Sequence, residues 1–217
     1  MTPFGVLGGT FNPVHLGHLR AAEEVAEALA LPRVLLVPSA LPPHKRERGG
    51  DPLAPAEQRL AWVERACADN PRLEACDVEV RRGGGASYTV DTLRTLAERA
   101  APGRPTFLIG ADAFADLGSW REPEAVLGLA DFAVMTRPGT PGALADWLPA
   151  KLREGFELEA DGRAARHASG GQVRVVAISA LDISSSDIRA RARAGRSLRY
   201  LVPEAVRSDV EESGVFG

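Results

Sequence analysis

Cysteine is scarce in this 217-residue chain: only Cys67 and Cys76 occur. Two are too few for a disulfide framework, and no other feature points to secretion. Both read as reduced cysteines of the core or near-surface. Charge of one sign is lacking too. The chain has 26 Lys and Arg against 29 Asp and Glu, a net charge of −3. That excludes a general electrostatic attraction to nucleic acid or to an anionic membrane. A site for a polyanion must therefore concentrate its positive charge locally. No window of about 20 apolar residues exists, and no basic, apolar leader precedes the first strand-like run. The expectation is a soluble cytoplasmic protein. Internal repeats and long low-complexity tracts are missing. So are three familiar motifs. Gly5, Gly8 and Gly9 do not complete G-x-G-x-x-G, no G-x-x-x-x-G-K-[ST] occurs, and His15 and His18 do not form H-E-x-x-H.

Against these absences stands a 45% hydrophobic composition, ordinary for a globular protein, and enough length for one large α/β domain spanning residues 1–217. Phe4-Gly5-Val6-Leu7 reads as a buried first strand. Leu19 to Leu31 has Leu19, Ala22, Val25, Ala26 and Leu29 at helical spacing. Between them lies Gly8-Gly9-Thr10-Phe11-Asn12-Pro13-Val14-His15-Leu16-Gly17-His18. Strand, glycine turn and helix in that order form a cradle for an anion. Glycines admit a ligand close to the backbone, and a helix start presents free N–H groups and a positive dipole end. Two histidines at the same mouth suggest chemistry on a nucleotide phosphate.

Further along, strand-like runs are expected at Arg33 to Val37, Leu73 to Val80, Thr106 to Ile109, Asp131 to Met135 and Val173 to Ile178. Helical runs are expected at Leu53 to Ala68, Thr89 to Ala100, Glu122 to Leu129, Ser186 to Ala194 and Pro203 to Ser213. This alternation implies parallel strands with right-handed crossovers, a Rossmann-like sheet with helices on both faces and a small C-terminal helical part. Ligands in such sheets bind beyond the carboxyl ends of the strands. Ser39 to Pro55, Arg81 to Ala86 and Asp161 to Gln172 read as mobile loops.

The eleven residues from Gly8 to His18 resemble the G-G-T-F-[DN]-P-x-H-x-G-H motif of the nucleotidylyltransferase superfamily. Ile183-Ser184-Ser185-Ser186-Asp187-Ile188-Arg189 resembles its I-S-S-T-x-I-R element, although a plain helix N-cap would explain the serines equally well. Pro42-Pro43-His44-Lys45, Ser87-Tyr88-Thr89-Val90-Asp91-Thr92, Gly110-Ala111-Asp112 and Trp120 follow in the order of the bacterial nicotinate-nucleotide adenylyltransferases. The likeness runs from about Phe4 to about Leu201. It is poor over Leu144 to Gln172, where Asp161 to Gln172 reads as an insertion. Asn12 and Ser186 replace the commoner Asp and Thr.

That resemblance implies transfer of AMP from ATP to nicotinate mononucleotide, giving deamido-NAD and pyrophosphate. It implies catalytic roles for His15, His18, Lys45 and Arg189. ATP would be held by Gly8, Gly9, Thr10, Phe11, His15, His18, Ile183, Ser184, Ser185 and Arg189. The mononucleotide would be held by Lys45, Tyr88, Thr89, Asp112, Trp120 and Arg137, with Trp120 stacked on the pyridine. A Mg²⁺ ion would enter with ATP, with no dedicated protein metal site. A homo-oligomer stays open. Two rivals remain, a pantetheine-phosphate adenylyltransferase and a non-catalytic nucleotide-binding regulator. A cytidylyltransferase is a more distant one.

Overall fold

The computed structural model describes residues 3–42, 52–83 and 85–216. Eight strands form one sheet. In chain order they are β1 (Gly5–Gly9), β2 (Val34–Pro38), β3 (Leu73–Ala75), β4 (Thr106–Gly110), β5 (Asp131–Thr136), β6 (Phe156–Leu158), β7 (Ala164–His167) and β8 (Gln172–Ala177). Their spatial order is β3-β2-β1-β4-β5-β8-β7-β6. The six from β3 to β8 run parallel, and β7 and β6 close the edge antiparallel. The Rossmann-like expectation holds over this parallel part.

Period-two alternation sends successive residues to opposite faces. Val6 of β1 and Leu35 of β2 enter one apolar core, whereas Leu7 and Leu36 enter the other. The first core is covered by α4 (Thr89–Ala100), α5 (Ala111–Ala115) and α6 (Pro123–Leu129), through Val90, Leu93, Leu96, Phe114 and Val126. The second is covered by α1 (Leu16–Ala28), α2 (Ala56–Cys67), α8 (Ser185–Arg193) and α9 (Glu204–Glu212), through Val25, Trp62, Ile188 and Val206. The chain order reverses between β1 and β4. Their carboxyl ends, at Gly9 and Gly110, flank the crevice where such sheets place their ligands.

Two sequence expectations need correction. Leu73 to Val80 is not one strand. Only Leu73–Ala75 pairs with β2, and α3 (Val78–Arg82) follows. The chain turns at Asp77 (φ −84, ψ 4), so Val78 and the adjacent Glu79 both point inward. Continued alternation would have sent Glu79 to the opposite face. Nor is Asp161 to Gln172 a loose insertion. Within it, β7 pairs with β6 on one side and with β8 on the other. A Cβ on Gly171 would lie 2.0 Å from the Leu127 carbonyl, so this tight approach admits only glycine. Short helical pieces that the sequence reading passed over are α5, α7 (Leu144–Trp147) and 3₁₀ turns at Leu117–Ser119 and Ala150–Gly155. Cys67 and Cys76 are buried and unpaired, with burial pushing both thiols up, Cys67 to about 12.

Candidate active site

A cavity of about 570 Å³ opens at the carboxyl ends of β1 and β4. Its walls bring together segments from across the chain: His15, Gly17 and His18 from the start of α1, Asp112 from α5, Arg137 after β5, and Ile183, Ser184 and Ser185 at the start of α8. Arg137 was expected on the mononucleotide side, and it shares this cavity with the histidines.

The histidines are a built pair. Their rings stack with centroids 3.6 Å apart, and Phe11 meets the His18 ring edge-on at 4.9 Å. The His15 amide donates to His18 Nδ1 at 3.2 Å. A neutral His18 accepting at Nδ1 carries its proton on Nε2. His15 Nδ1 is buried with no hydrogen-bond partner among the described residues. Burial, helped by the charge of Arg137, lowers the His15 pKa to about 4. Burial, helped by His15, lowers that of His18 to about 3. Both imidazoles are therefore neutral at pH 7 until an anion enters.

The glycine turn is shaped by its neighbours. Phe11 adopts φ 47, which folds its ring back over Gly9, where a Cβ would stand 3.0 Å from it. Asn12 is buried. Its Oδ1 accepts from the Ala54 amide and its Nδ2 donates to the Pro52 carbonyl, both at 3.0 Å. The substitution of Asn for the commoner Asp thus supplies a donor that a carboxylate lacks. Gly8, Gly9, Thr10 and Phe11 make up this turn and do not themselves line the cavity.

The serine-rich start of α8 is a capped helix start on the cavity wall. Ser184 is an N-cap, its hydroxyl accepting from the Asp187 amide at 3.1 Å. Ser185 donates to the Pro13 carbonyl at 3.0 Å, tying α8 to the turn. Arg189, expected as a phosphate ligand, is only 4% exposed. It donates to the Asn12 carbonyl at 2.9 Å and to Ser186 Oγ at 3.1 Å, and it stands behind the cavity wall. In this state it braces the turn from beneath.

The residues expected around nicotinate separate from this group. Tyr88 caps α4 and lines a second hollow of about 330 Å³ with Ser87, Arg82, Glu79, Asp91 and Arg121, whose guanidinium lies 4.8 Å from the Tyr88 ring centroid. Thr89 is the first residue of α4. Trp120 packs half-buried against the core, edge-on to Phe107 at 6.3 Å. Neither Thr89 nor Trp120 lines either hollow. His44 and Lys45 lie outside the described residues.

Sequence reading missed two buried charges beside this site. Arg59 in α2 is fully buried and donates to three backbone carbonyls, Ala54 at 2.9 Å, Thr10 at 2.7 Å and Ala40 at 3.1 Å. Glu79 accepts from Thr92 Oγ1 at 2.6 Å. A single Arg within a helix reads as part of a solvated face, so no local signal marks it. The one hint was position: Arg59, Val63 and Ala66 fall at i, i+4 and i+7 on one face of α2.

Comparison with known proteins places the chain. The cytidylyltransferase-like family model matches residues 6–191. A protein of Geotalea uraniireducens named "Probable nicotinate-nucleotide adenylyltransferase" is 46% identical, covering 98% of this chain and 97% of its own. One of Geobacter sulfurreducens with the same name is 45% identical over the same shares. Among solved structures, the nicotinic acid mononucleotide adenylyltransferase of Plasmodium falciparum complexed with NaAD superposes with a TM-score of 0.72 at 15% identity, covering 100% of this chain and 98% of that one, which shows a common fold. Among the described residues no helix is long and apolar enough to cross a membrane. With its histidine pair, glycine turn and serine-capped helix assembled at the β1–β4 crevice, the chain belongs to the cytidylyltransferase-like family, in the group of the nicotinate-nucleotide adenylyltransferases.

Proposed function

We propose that this protein transfers the adenylyl group of ATP to nicotinate mononucleotide in the cytoplasm, releasing pyrophosphate and forming deamido-NAD. The observation that carries it is the stacked His15–His18 pair facing Arg137, Asp112 and the start of α8 across one cavity. A phosphate oxygen of the mononucleotide attacks the α-phosphorus in line, and the bond to the bridging oxygen of pyrophosphate breaks. No protein nucleophile is needed. The chain's work is positioning and electrostatics.

His18 donates from Nε2 toward the α-phosphate. Incoming phosphates raise both imidazole pKa values from their lowered starting points, so the pair gains positive charge as ATP seats. Ile183, Ser184 and Ser185 line the wall that receives ATP, and Arg189 holds the turn that shapes it. Arg137 contributes a planar cation for phosphate. Tyr88 and Thr89 offer the α4 N-terminus to the nicotinate carboxylate, and Trp120 and Lys45 complete the acceptor side. The divalent cation, Mg²⁺, arrives with ATP. Among the described residues Asp112 is the one carboxylate on the cavity wall, and phosphates and water would supply the rest of the ion's shell. When bound, the ion neutralises charge on the phosphates.

The test is pyrophosphate release from MgATP with a panel of phosphorylated acceptors. Nicotinate mononucleotide should be used far faster than phosphopantetheine or cytidine nucleotides. A preference for phosphopantetheine would assign the chain to the rival enzyme.

A further inference from the structure

Arg59 is a buried cation with no carboxylate in ion-pair distance among the described residues. Such groups are costly to desolvate, and burial lowers even this guanidinium to about 10. The side chain instead makes three hydrogen bonds to three separate stretches of backbone: Thr10 in the glycine turn, Ala40 after β2, and Ala54 before α2. A rigid guanidinium fork can serve several acceptors at fixed angles, and an ammonium cannot.

From Arg59 one hydrogen-bonded route leads to the N-terminus of α4. Next to Ala40, the Leu41 amide donates to Ser87 Oγ at 3.1 Å, and the Ser87 amide donates to the Leu41 carbonyl at 2.9 Å. Ser87 immediately precedes the Tyr88 cap. Nearby, the Glu79 carboxylate offsets the Arg59 charge without bonding it, and accepts from Thr92 on the first turn of α4. Glycine turn and α4 start belong to different segments of the chain; the same buried side chain bonds the first directly and reaches the second through Ala40, Leu41 and Ser87.

We propose that Arg59 is a positioning residue that holds the Gly9-Thr10-Phe11 turn in register with the start of α4. On the adenylyl-transfer reading, on which this inference rests, those two elements serve ATP and the acceptor respectively. Arg59 touches neither substrate. Its role is to fix the relative placement of two bound molecules, which governs the rate of an in-line reaction more than the binding of either alone.

The test compares wild type with Arg59→Lys as full-length protein. The expected result is a kcat lowered about tenfold or more, with the separate binary dissociation constants for ATP and nicotinate mononucleotide each changed by less than about threefold. Backbone hydrogen exchange should quicken by about tenfold or more at Ser87, whose amide depends on this register, and stay unchanged at Val134 in β5. Wild-type kcat together with wild-type exchange at Ser87 overturns the proposal. So does a parallel loss of kcat and of both binary affinities, the mark of general damage. If Arg59→Lys does not fold, Ser87→Ala carries the test, since it removes the side-chain bond that joins the Arg59-held segment to the start of α4. It should lower kcat by about threefold or more at unchanged binary affinity, and an unchanged kcat overturns the proposal. A wild type with no adenylyl transfer refutes the reaction, whereas exchange at Ser87 still decides the role of Arg59.

Discussion

Acidification should weaken this fold through its two histidines, and by an amount that the site itself sets. Both are folded as neutral imidazoles, His15 with a pKa near 4 and His18 near 3, against 6.5 when exposed. A depressed folded pKa means that the unfolded chain binds protons which the folded chain refuses. The stability is therefore fully present above 6.5 and is lost as pH falls from there toward 4. At about pH 4.5, about two units below 6.5, each imidazole lowers stability by roughly 2.7 kcal/mol. The rings stack at 3.6 Å and titrate together, so a sum of about 5 kcal/mol is an upper bound. Other groups also titrate in this window, and a variant isolates the share of His18. His18→Gln retains an acceptor for the His15 amide and has no titratable group. Urea denaturation of both proteins at about pH 7 and about pH 4.5 gives the comparison. Wild type should lose roughly 2–3 kcal/mol more than the variant between the two. Equal losses would refute the assignment of buried, neutral imidazoles. Calorimetry of ATP binding in buffers of differing ionisation enthalpy would measure how far bound phosphates raise these values.

Three further outcomes follow from the geometry. Gly9→Ala places a methyl 3.0 Å from the Phe11 ring, and Phe11 in turn packs on His18, so kcat should fall by about tenfold in a protein that still folds; unchanged kcat would mean that the turn relaxes freely. Arg189→Lys should reduce both kcat/KM, by about tenfold, and thermal stability, because a lysine cannot replace the two bonds to the Asn12 carbonyl and Ser186; loss of ATP affinity with unaltered Tm would show instead that Arg189 is a direct phosphate ligand. Nicotinamide mononucleotide should be used at least about tenfold less efficiently than the acid, since its neutral amide leaves a donor at the α4 start unpaired, and comparable kcat/KM in competition would remove Tyr88 and Thr89 from carboxylate recognition.

The sequence by itself determined the strand–turn–helix at the N-terminus, the parallel βα alternation and the two motifs that mark the family. These are local signals. Helical spacing from Thr89 to Ala100 matches α4 to the residue, and eleven consecutive residues specify the glycine-histidine turn. What tertiary structure alone decided is how charge is placed. His15 and His18 are three residues apart on any helix start, but their stacking, burial and lowered pKa values depend on Phe11, Arg137 and the walls around them. An arginine one turn into a helix suits phosphate by local spacing; that Arg189 bonds the Asn12 carbonyl and Ser186 is a matter of packing between distant segments. Leu73 to Val80 has an alternation that a strand and a short strand followed by a helical turn share, and the inward demand of Glu79 settles between them. Asp161 to Gln172 lacks a long alternating run, and becomes ordered only by pairing on both sides with β6 and β8. What Arg59 does was invisible in sequence for the same reason. Its partners are backbone carbonyls, which carry no residue identity, and they meet only when three distant segments fold together.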